Sequence, residues 1–490
     1  MNRRIWKALG IAVCMLALAA PRAMAELREY LVSNNEHFAD AVGRINNESN
    51  IGDENEIVLM HDITLEGNYI LTNGKTTTIK GEGKTITVNS GAGIKVTGEK
   101  TTLNLGANGY DKKLTIDGDT RNGFVSVLEG ATANMYEHVT LQNRMSTVNA
   151  CVVIMGSDPV TGSKSVFNMR GGVIKKCSRA VIADSGATFH MLSGKIEDCR
   201  AGGNRVISVN GGSKFIMDGG TISGCEAAIN EGGGLYATNQ STITISGGTI
   251  SGCKAPSSDK GNGSGLYANN STVTISGGTI SGCDGRWGGG LYAENSSTIE
   301  ISGGTISGCK VGAGGGLFVD SSTIRISGGI ISGCTTSDTG NGGGLYAKNS
   351  TLNISGGTIK GNKAAHGGGV ALVGVTTFEK PITNWTVVGN EAYETGGVGG
   401  GIKLENGSMD VSAGSNRIYN NTAGGQGADI FLLGSSTIRL PNAANMGAKY
   451  HDSGINIDNW YNDNPRYTPS ENGQVCLLYT SPSPRDGATS

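Results

Sequence analysis

Three features are missing from this sequence of 490 residues: an apolar run that could span a membrane, an excess of basic residues, and helical periodicity in its repeated part. The apolar run at residues 8–20 is shorter than the roughly 20 residues that a transmembrane helix needs. Setting aside five basic residues and one acidic residue in the two ends, 34 basic and 40 acidic residues remain, a net charge of about −6. This sign argues against a nucleic-acid partner, which requires a basic footprint.

Both ends of the chain are expected to lie outside the folded body. Residues 1–25 contain basic residues, then the apolar run, then Ala23-Met24-Ala25, which is the order of a secretory signal peptide; a membrane anchor is the alternative. Residues 476–486 read CLLYTSPSPRD and resemble a translated sequencing adapter. We therefore expect residues 475–490 to be an artefact and residues 441–474 to begin a truncated C-terminal region. The protein is expected to be exported, to the medium or the cell surface.

Glycine is abundant, at 81 of 490 residues, and falls neither at every third position nor at random, so the chain is neither collagen-like nor disordered. The motif ISGG begins at Ile245, Ile275, Ile301, Ile326 and Ile354, and GGGLYA or a close variant begins at Gly232, Gly263, Gly288, Gly314 and Gly342. From each GGG-type start to the end of the next TISGC-type segment the distance is 20 or 21 residues. The stretch that follows varies from 4 to 9 residues, so length variation is confined to one turn.

Each repeat is predicted to form one coil of a solenoid, because a unit of this length buries its apolar face only by stacking on its neighbours. Residues 241–246 alternate polar and apolar side chains, as do the segments around Ile250 and Leu235, which predicts three short strands per coil. Ile243, Ile245, Ile250 and Leu235 are expected to point inward. Solenoids with helical repeats fit poorly. We predict an all-β, single-stranded, right-handed parallel β-helix over residues 57–440, with about fifteen coils of roughly 25 residues.

Residues 26–56 are predicted to form an N-terminal cap. The segment NEHFADAVGRIN, residues 35–46, places Phe38, Ala41, Val42 and Ile45 on one face of a helix. Such an amphipathic helix would cover the open edge of the first coil and prevent edge-to-edge association.

The pattern GGGLYA…ISGGTISG, followed by Cys or Asn, resembles the right-handed β-helix repeats of pectin-lyase-like surface proteins. It is also similar to the GG-A-I and F-x-x-N repeats of polymorphic outer-membrane autotransporter adhesins. The resemblance covers most of the mature chain. It implies the fold strongly and the function weakly, because this scaffold carries polysaccharide lyases, hydrolases, adhesins and passive stalks.

One position closes every TISGC-type strand and is filled by cysteine and then by asparagine. Its members are Cys177, Cys199, Cys225, Cys253, Cys283, Cys309, Cys334, Asn362, Asn390 and Asn421. Stacked neighbours have parallel Cβ vectors, which disfavours disulfides between them. We expect a ladder of buried, mostly unpaired thiols, with bridges between some neighbours as the alternative. Cys151 lies outside the pattern and is expected to be free.

No catalytic or metal-binding constellation is recognised. Glu294, Asp320 and Glu300 are scattered in sequence, no NTD, DD, GHG or RIK signature occurs, and the six histidines share no metal spacing. A cleft near Asp111, Asp117 and Asp119 is an alternative to the expected solvated carboxylates. Residues 424–432, GGQGADIFL, resemble a calcium-binding nonapeptide, but a single copy is expected to be a chance match. No cofactor is expected.

An aromatic column is the clearest candidate for ligand binding. Tyr236, Tyr267, Tyr292, Phe318 and Tyr346 each follow an inward leucine, so alternation should turn their rings outward, stacked beside the variable turn. Exposed aromatic rows bind sugars or proteins. The alternative is a stack that only stiffens the sheet.

Three functions remain open. The preferred hypothesis is a noncatalytic, monomeric, adhesin-like module that binds a glycan or a host or cell-surface protein. The second is a carbohydrate-active lyase or hydrolase with its site in the irregular N-terminal coils. The third is a passive structural stalk.

Overall fold

The computed structural model describes residues 27–47, 54–72, 74–118, 123–143, 150–156, 160–202, 205–228, 231–255, 261–374, 377–393, 395–411, 413, 415–439, 456–457 and 460–462. The described residues form a right-handed parallel β-helix, which confirms the predicted fold class. All strand pairs are parallel, and each strand pairs with its counterpart one coil away. We number the sheets in the order in which one coil passes through them.

The first sheet has fourteen strands within the described residues. They are Arg28–Val32, Glu54–Leu59, Thr76–Lys80, Thr102–Leu105, Thr132–Met135, Val166–Met169, Thr188–Met191, Lys214–Met217, Thr242–Ile245, Thr272–Ile275, Thr298–Ile301, Thr323–Ile326, Thr351–Ile354 and Thr377–Phe378.

The second sheet has fifteen strands in the same described ranges. They are Ile63–Leu65, Lys84–Val88, Leu114–Gly118, Val139–Asn143, Val173–Lys175, Lys195–Glu197, Thr221–Ser223, Thr249–Ser251, Thr279–Ser281, Thr305–Ser307, Ile330–Ser332, Thr358–Lys360, Thr386–Val388, Arg417–Tyr419 and Asn456–Ile457.

The third sheet consists of nine two-residue strands, again counted over the described part of the chain. They are Arg200–Ala201, Glu226–Ala227, Lys254–Ala255, Asp284–Gly285, Lys310–Val311, Thr335–Thr336, Lys363–Ala364, Glu391–Ala392 and Thr422–Ala423. The sequence predicted three strands per coil, and this short fourth strand was missed because two residues are too few to show alternation.

The fourth sheet has fifteen strands among the described residues. They are Asn68–Leu71, Gly93–Thr97, Val125–Leu128, Ala150–Met155, Arg179–Asp184, Ile207–Val209, Leu235–Thr238, Leu266–Asn269, Leu291–Glu294, Leu317–Asp320, Leu345–Lys348, Val370–Val373, Ile402–Glu405, Ile430–Leu433 and Trp460–Asn462. Ser408–Asp410 and Thr437–Arg439 form a separate pair.

The core consists of aliphatic columns that run along the axis. Leu235, Ile243, Ile245 and Ile250 are all buried, as predicted, and each is paired with the equivalent residue of the next coil. In earlier coils the position of Ile243 is filled by Phe167, Phe189 and Phe215, whose neighbouring ring centroids are 5.1–5.5 Å apart with the rings tilted. Because like residues lie above like, the interior is continuous along the described coils.

The predicted cap is present as the helix Asn35–Asn47, the single helix among the described residues. Phe38, Ala41, Val42 and Ile45 are buried against the first coils, which confirms the predicted apolar face. The Asn34 side-chain oxygen accepts a hydrogen bond of 2.8 Å from the His37 amide, as an N-cap residue does. The sequence did not predict the edge strand Arg28–Val32, which pairs with Glu54–Leu59. This edge strand lies before residue 57, where the solenoid was predicted to begin.

We expect Ile280→Ala to destabilise the solenoid by about 2–5 kcal/mol, because it leaves a cavity in a buried column in which Ile280 is 1 % exposed. Thr274→Ala, which changes an outward side chain, is the control and should have an effect below about 1 kcal/mol. Urea unfolding followed by circular dichroism measures both. Equal effects of the two substitutions would contradict the inward assignment of Ile280.

Candidate functional site

The predicted aromatic column exists as a stack on the outer side of the fourth sheet. Strand pairing places Tyr236, Tyr267, Tyr292, Phe318 and Tyr346 side by side in successive coils. Neighbouring ring centroids are 4.7–5.5 Å apart. The predicted stacking is confirmed for Tyr236, Tyr267, Tyr292 and Phe318, whereas Tyr346 meets Phe318 edge to face.

The predicted exposure of this column is wrong. Tyr267, Tyr292 and Phe318 are only 4 %, 3 % and 4 % exposed, and Tyr236 and Tyr346 are partly buried. The cause is the turn before the strand, which folds back over the rings. At Gly288, for example, φ is 61°, and an added Cβ would lie 2.8 Å from the Cβ of Tyr292. Alternation places a side chain outside the core but does not show whether a turn covers it.

Other side chains complete the cover. The Arg205 guanidinium lies 3.9 Å from the ring centroid of Tyr236 and is held by Glu231 at 3.2 Å. The Trp287 ring stacks on Phe318 with centroids 5.5 Å apart. A ligand therefore cannot reach most of the ring faces without displacing these residues.

A row of polar side chains borders the aromatic column and is more accessible than the rings. We call Asn269, Glu294, Asp320 and Lys348 the polar row. Asn269 pairs with Glu294 and Asp320 pairs with Lys348, and the pairing of Ala293 with Val319 places the next residues, Glu294 and Asp320, in adjacent coils. Glu294 and Asp320 were expected to be scattered, and this expectation is wrong. They are neighbours because their separation in sequence equals one repeat. Glu300 does lie apart, on the first sheet, 3.8 Å from Arg325.

The Glu294 carboxylate joins the polar row to the rings. It accepts hydrogen bonds from the Tyr267 hydroxyl, from the Tyr292 hydroxyl at 3.0 Å and from the Asn269 amide at 2.8 Å. Burial raises the pKa of Tyr267 and of Tyr292 above the ordinary tyrosine value, and the Glu294 carboxylate raises both further. Both hydroxyls are therefore protonated donors at neutral pH.

The cysteine and asparagine ladder lies inside the solenoid. Cys199, Cys225, Cys253, Cys283, Cys309 and Cys334 are buried and unbridged, which confirms the expected thiol column for these six. Contact with the thiol one coil earlier, together with burial, raises the pKa of Cys225 and Cys253. The raised pKa keeps Cys225 and Cys253 protonated, so these two thiols are poor nucleophiles at neutral pH.

One disulfide corrects the expectation for Cys151 and Cys177. Cys151 was expected to be free and Cys177 unpaired, but the two are joined, with Cα atoms 6.5 Å apart. Cys151 lies on Ala150–Met155, whereas Cys177 lies in the turn that enters the neighbouring strand Arg179–Asp184. Because the two residues do not occupy equivalent positions, the argument from parallel Cβ vectors does not apply to them.

Asparagines continue the ladder through hydrogen bonds. The Asn362 amide donates to Asn390 at 3.0 Å, Asn390 donates to Asn421 at 2.9 Å, and Asn421 donates to Asp429 at 2.7 Å. Asp429 belongs to the calcium-like nonapeptide and is fully buried. Its carboxylate thus ends the ladder, which explains an acidic residue there without a metal.

A shallow cleft of about 300 Å³ lies in the irregular coils. Ala107, Asn108, Gly109, Tyr136, Glu137, Arg170 and Leu192 line it. Of the three aspartates predicted near a cleft, Asp111 is exposed, Asp117 accepts a hydrogen bond of 3.3 Å from Gln142, and Asp119 lies outside the described residues. Neither Asp111 nor Asp117 lines this cleft. Within the described ranges, no group of three or more His, Cys, Asp or Glu side chains is placed to hold a metal.

The register, core columns and turns define a parallel β-solenoid. A family model described as right handed beta helix region matches residues 139–328 and 264–465, so the chain belongs to this family. No curated protein and no solved structure gives a match. In the described part of the chain, no helix has the length and apolar character needed to cross a membrane.

We expect the cysteines from Cys151 to Cys334 to fall into two groups. After unfolding without reductant, alkylation should label the six ladder thiols, while Cys151 and Cys177 should be labelled only after reduction. Peptide mass spectrometry measures both groups. A bridge between two ladder residues would contradict the assignment.

Stability should fall in alkaline solution. The folded-state pKa of Tyr267 and Tyr292 is raised, so their contribution is complete below the ordinary tyrosine pKa of about 10 and is lost as the pH rises through the folded-state pKa. The melting temperature should therefore decrease above about pH 10. The variant Tyr267→Phe/Tyr292→Phe should show a smaller decrease, and an unchanged dependence would contradict this origin.

Proposed function

We propose that this protein is a noncatalytic, adhesin-like module, exported to the medium or the cell surface, that binds a glycan or a protein ligand. The observation that supports this proposal is repetition on the outer faces. Successive coils present the same types of side chain at the same register positions, for example Thr249 and Ser251 beside Thr279 and Ser281. A catalytic site needs one set of groups at one place, whereas repeated contacts suit a long or multivalent ligand.

The polar row is the accessible part of the candidate site on the fourth sheet. Its carboxylates, amide and ammonium group can exchange hydrogen bonds with sugar hydroxyls or with polar groups of a protein. The covered aromatic column beside it holds Glu294 in place through the two tyrosine hydroxyls, so this carboxylate is oriented before a ligand arrives. The resemblance of the repeats to adhesin repeats also supports the proposal.

A carbohydrate-active enzyme is the second candidate, and one observation favours it. Glu294 and Asp320 lie in adjacent coils, whose backbones are about 4.8 Å apart. Two neighbouring carboxylates are the minimum requirement for glycoside hydrolysis. Release of reducing or unsaturated sugars from polysaccharides, including polyuronates, would favour this candidate over the adhesin.

A glycan array probed with the protein tests the proposal. We expect binding to at least one glycan, and Asp320→Asn should weaken binding at this site about tenfold, because a charged hydrogen bond contributes roughly 1.5–3 kcal/mol. Glu300→Gln is the matched control, since Glu300 is an outward carboxylate of the same repeats on the first sheet. Thermal unfolding of both variants checks that the fold is unchanged. If the protein binds neither glycans nor cell-surface proteins, the proposal is wrong and the third hypothesis, a passive structural stalk, is favoured.

A further inference from the structure

A second, chemically different face lies on the second sheet. Its outward positions in four successive coils are filled by one column of threonines and one column of serines. We call these residues the hydroxyl panel: Thr221, Thr249, Thr279, Thr305, Ser223, Ser251, Ser281 and Ser307.

The backbone sets the spacing of the panel. Neighbouring hydroxyls within a column follow the strand separation of about 4.8 Å, and the two columns are two residues apart, about 6.6 Å. Glycine pairs such as Gly247-Gly248 precede each strand, and the serines before them, including Ser276, Ser302 and Ser327, are exposed and extend the hydroxyl surface at the corner. The result is a regular lattice of hydroxyl groups.

These hydroxyls are open to a ligand. The panel side chains are partly exposed, and within the described residues none of their hydroxyls makes a hydrogen bond to another protein group. Serines elsewhere in the repeat behave differently: the Ser297 hydroxyl is buried and donates to the Glu294 carbonyl at 2.7 Å. The chain therefore uses one serine column to hold its turns and leaves the other free.

The charge distribution limits the chemical class of ligand that the panel can bind. No panel residue is charged, and charged residues take the equivalent positions directly before the panel and two coils after it. Lys195 and Glu197 occupy its positions one coil earlier, and Lys360 occupies the serine position two coils after Ser307. A charged polymer would gain no ion pair on the panel itself. The charged residues that follow on the third sheet, Glu226, Lys254, Asp284 and Lys310, alternate in sign along the axis and so do not favour a polymer of one charge. An uncharged ligand with its own hydroxyl groups matches the panel.

We propose that the hydroxyl panel binds a neutral, unbranched polysaccharide. This inference rests on the proposed adhesin function and adds to the polar row a second binding face with its own ligand class. One hydroxyl hydrogen bond contributes little net free energy in water, so a single sugar would bind weakly. A linear chain that contacts several coils gains affinity through effective concentration. Branches would lift such a chain off the sheet.

The position after Thr305 offers a natural test of the panel. Ile330 occupies the threonine column there and is 37 % exposed, while Ser332 continues the serine column. Ile330 therefore interrupts the lattice at one hydroxyl. Ile330→Thr restores the repeat and should extend the panel by one coil.

The experiment measures binding of the full protein to cellulose, unsubstituted β-mannan and chitin, with polygalacturonate as the charged comparison. We expect binding to at least one neutral polymer, with affinity that increases with chain length. The variant Thr249→Val/Thr279→Val/Thr305→Val removes three hydroxyls, keeps β-branched side chains and should weaken that binding at least tenfold. Thr242→Val/Thr272→Val/Thr298→Val is the matched control on the first sheet and should bind as the unchanged protein does. Ile330→Thr should bind more tightly.

The outcomes separate the two proposals. If the protein binds a glycan but the panel variant binds equally well, or if only polygalacturonate is bound, this inference is wrong and the adhesin proposal stands. If the protein binds no glycan but binds a cell-surface protein, the panel inference is again wrong. If it binds neither, both proposals fail.

Discussion

The structure depends on one constraint, the in-register hydrogen bonding of each strand to the equivalent strand of the next coil. Because the pairing is parallel and in register, a residue has its counterpart as its nearest neighbour on both sides, and its environment is repeated along the axis. Inward isoleucines therefore build a continuous apolar interior, and outward residues build columns of one chemical type. The aromatic stack, the polar row and the hydroxyl panel are three results of the same register.

Much of this register could be predicted from the sequence. Alternation in residues 241–246 indicated which isoleucines point inward, and the spacing of Phe38, Ala41, Val42 and Ile45 indicated the capping helix. The burial of Tyr267 and Tyr292 could not be predicted in this way, because it depends on the path of a turn. The disulfide between Cys151 and Cys177 was missed for a related reason: Cys151 belongs to no repeated position. The proximity of Glu294 and Asp320 could have been predicted from the sequence, since residues one repeat apart must be neighbours.

The ladder shows how the same buried position accepts two chemistries. A thiol fills it with few polar requirements, whereas an asparagine brings a donor and an acceptor that both need partners. From Asn362 onward these partners are supplied by the next asparagine, and the series ends at the Asp429 carboxylate. A cysteine at this position therefore does not require a polar side chain in the next coil. Each asparagine does, because the next residue of the ladder accepts its hydrogen bond.

The near-constant length of the segment from GGG to the TISGC-type strand has a consequence for how such a gene changes. Since adjacent cysteine coils offer almost the same upper and lower surfaces, a whole coil can be duplicated or deleted by recombination without creating a mismatched junction. The variable turn accepts short insertions at the edge of the rod in the same way. Variants of this protein can thus differ in the number of coils and in the residues of the variable turn while keeping the same core residues.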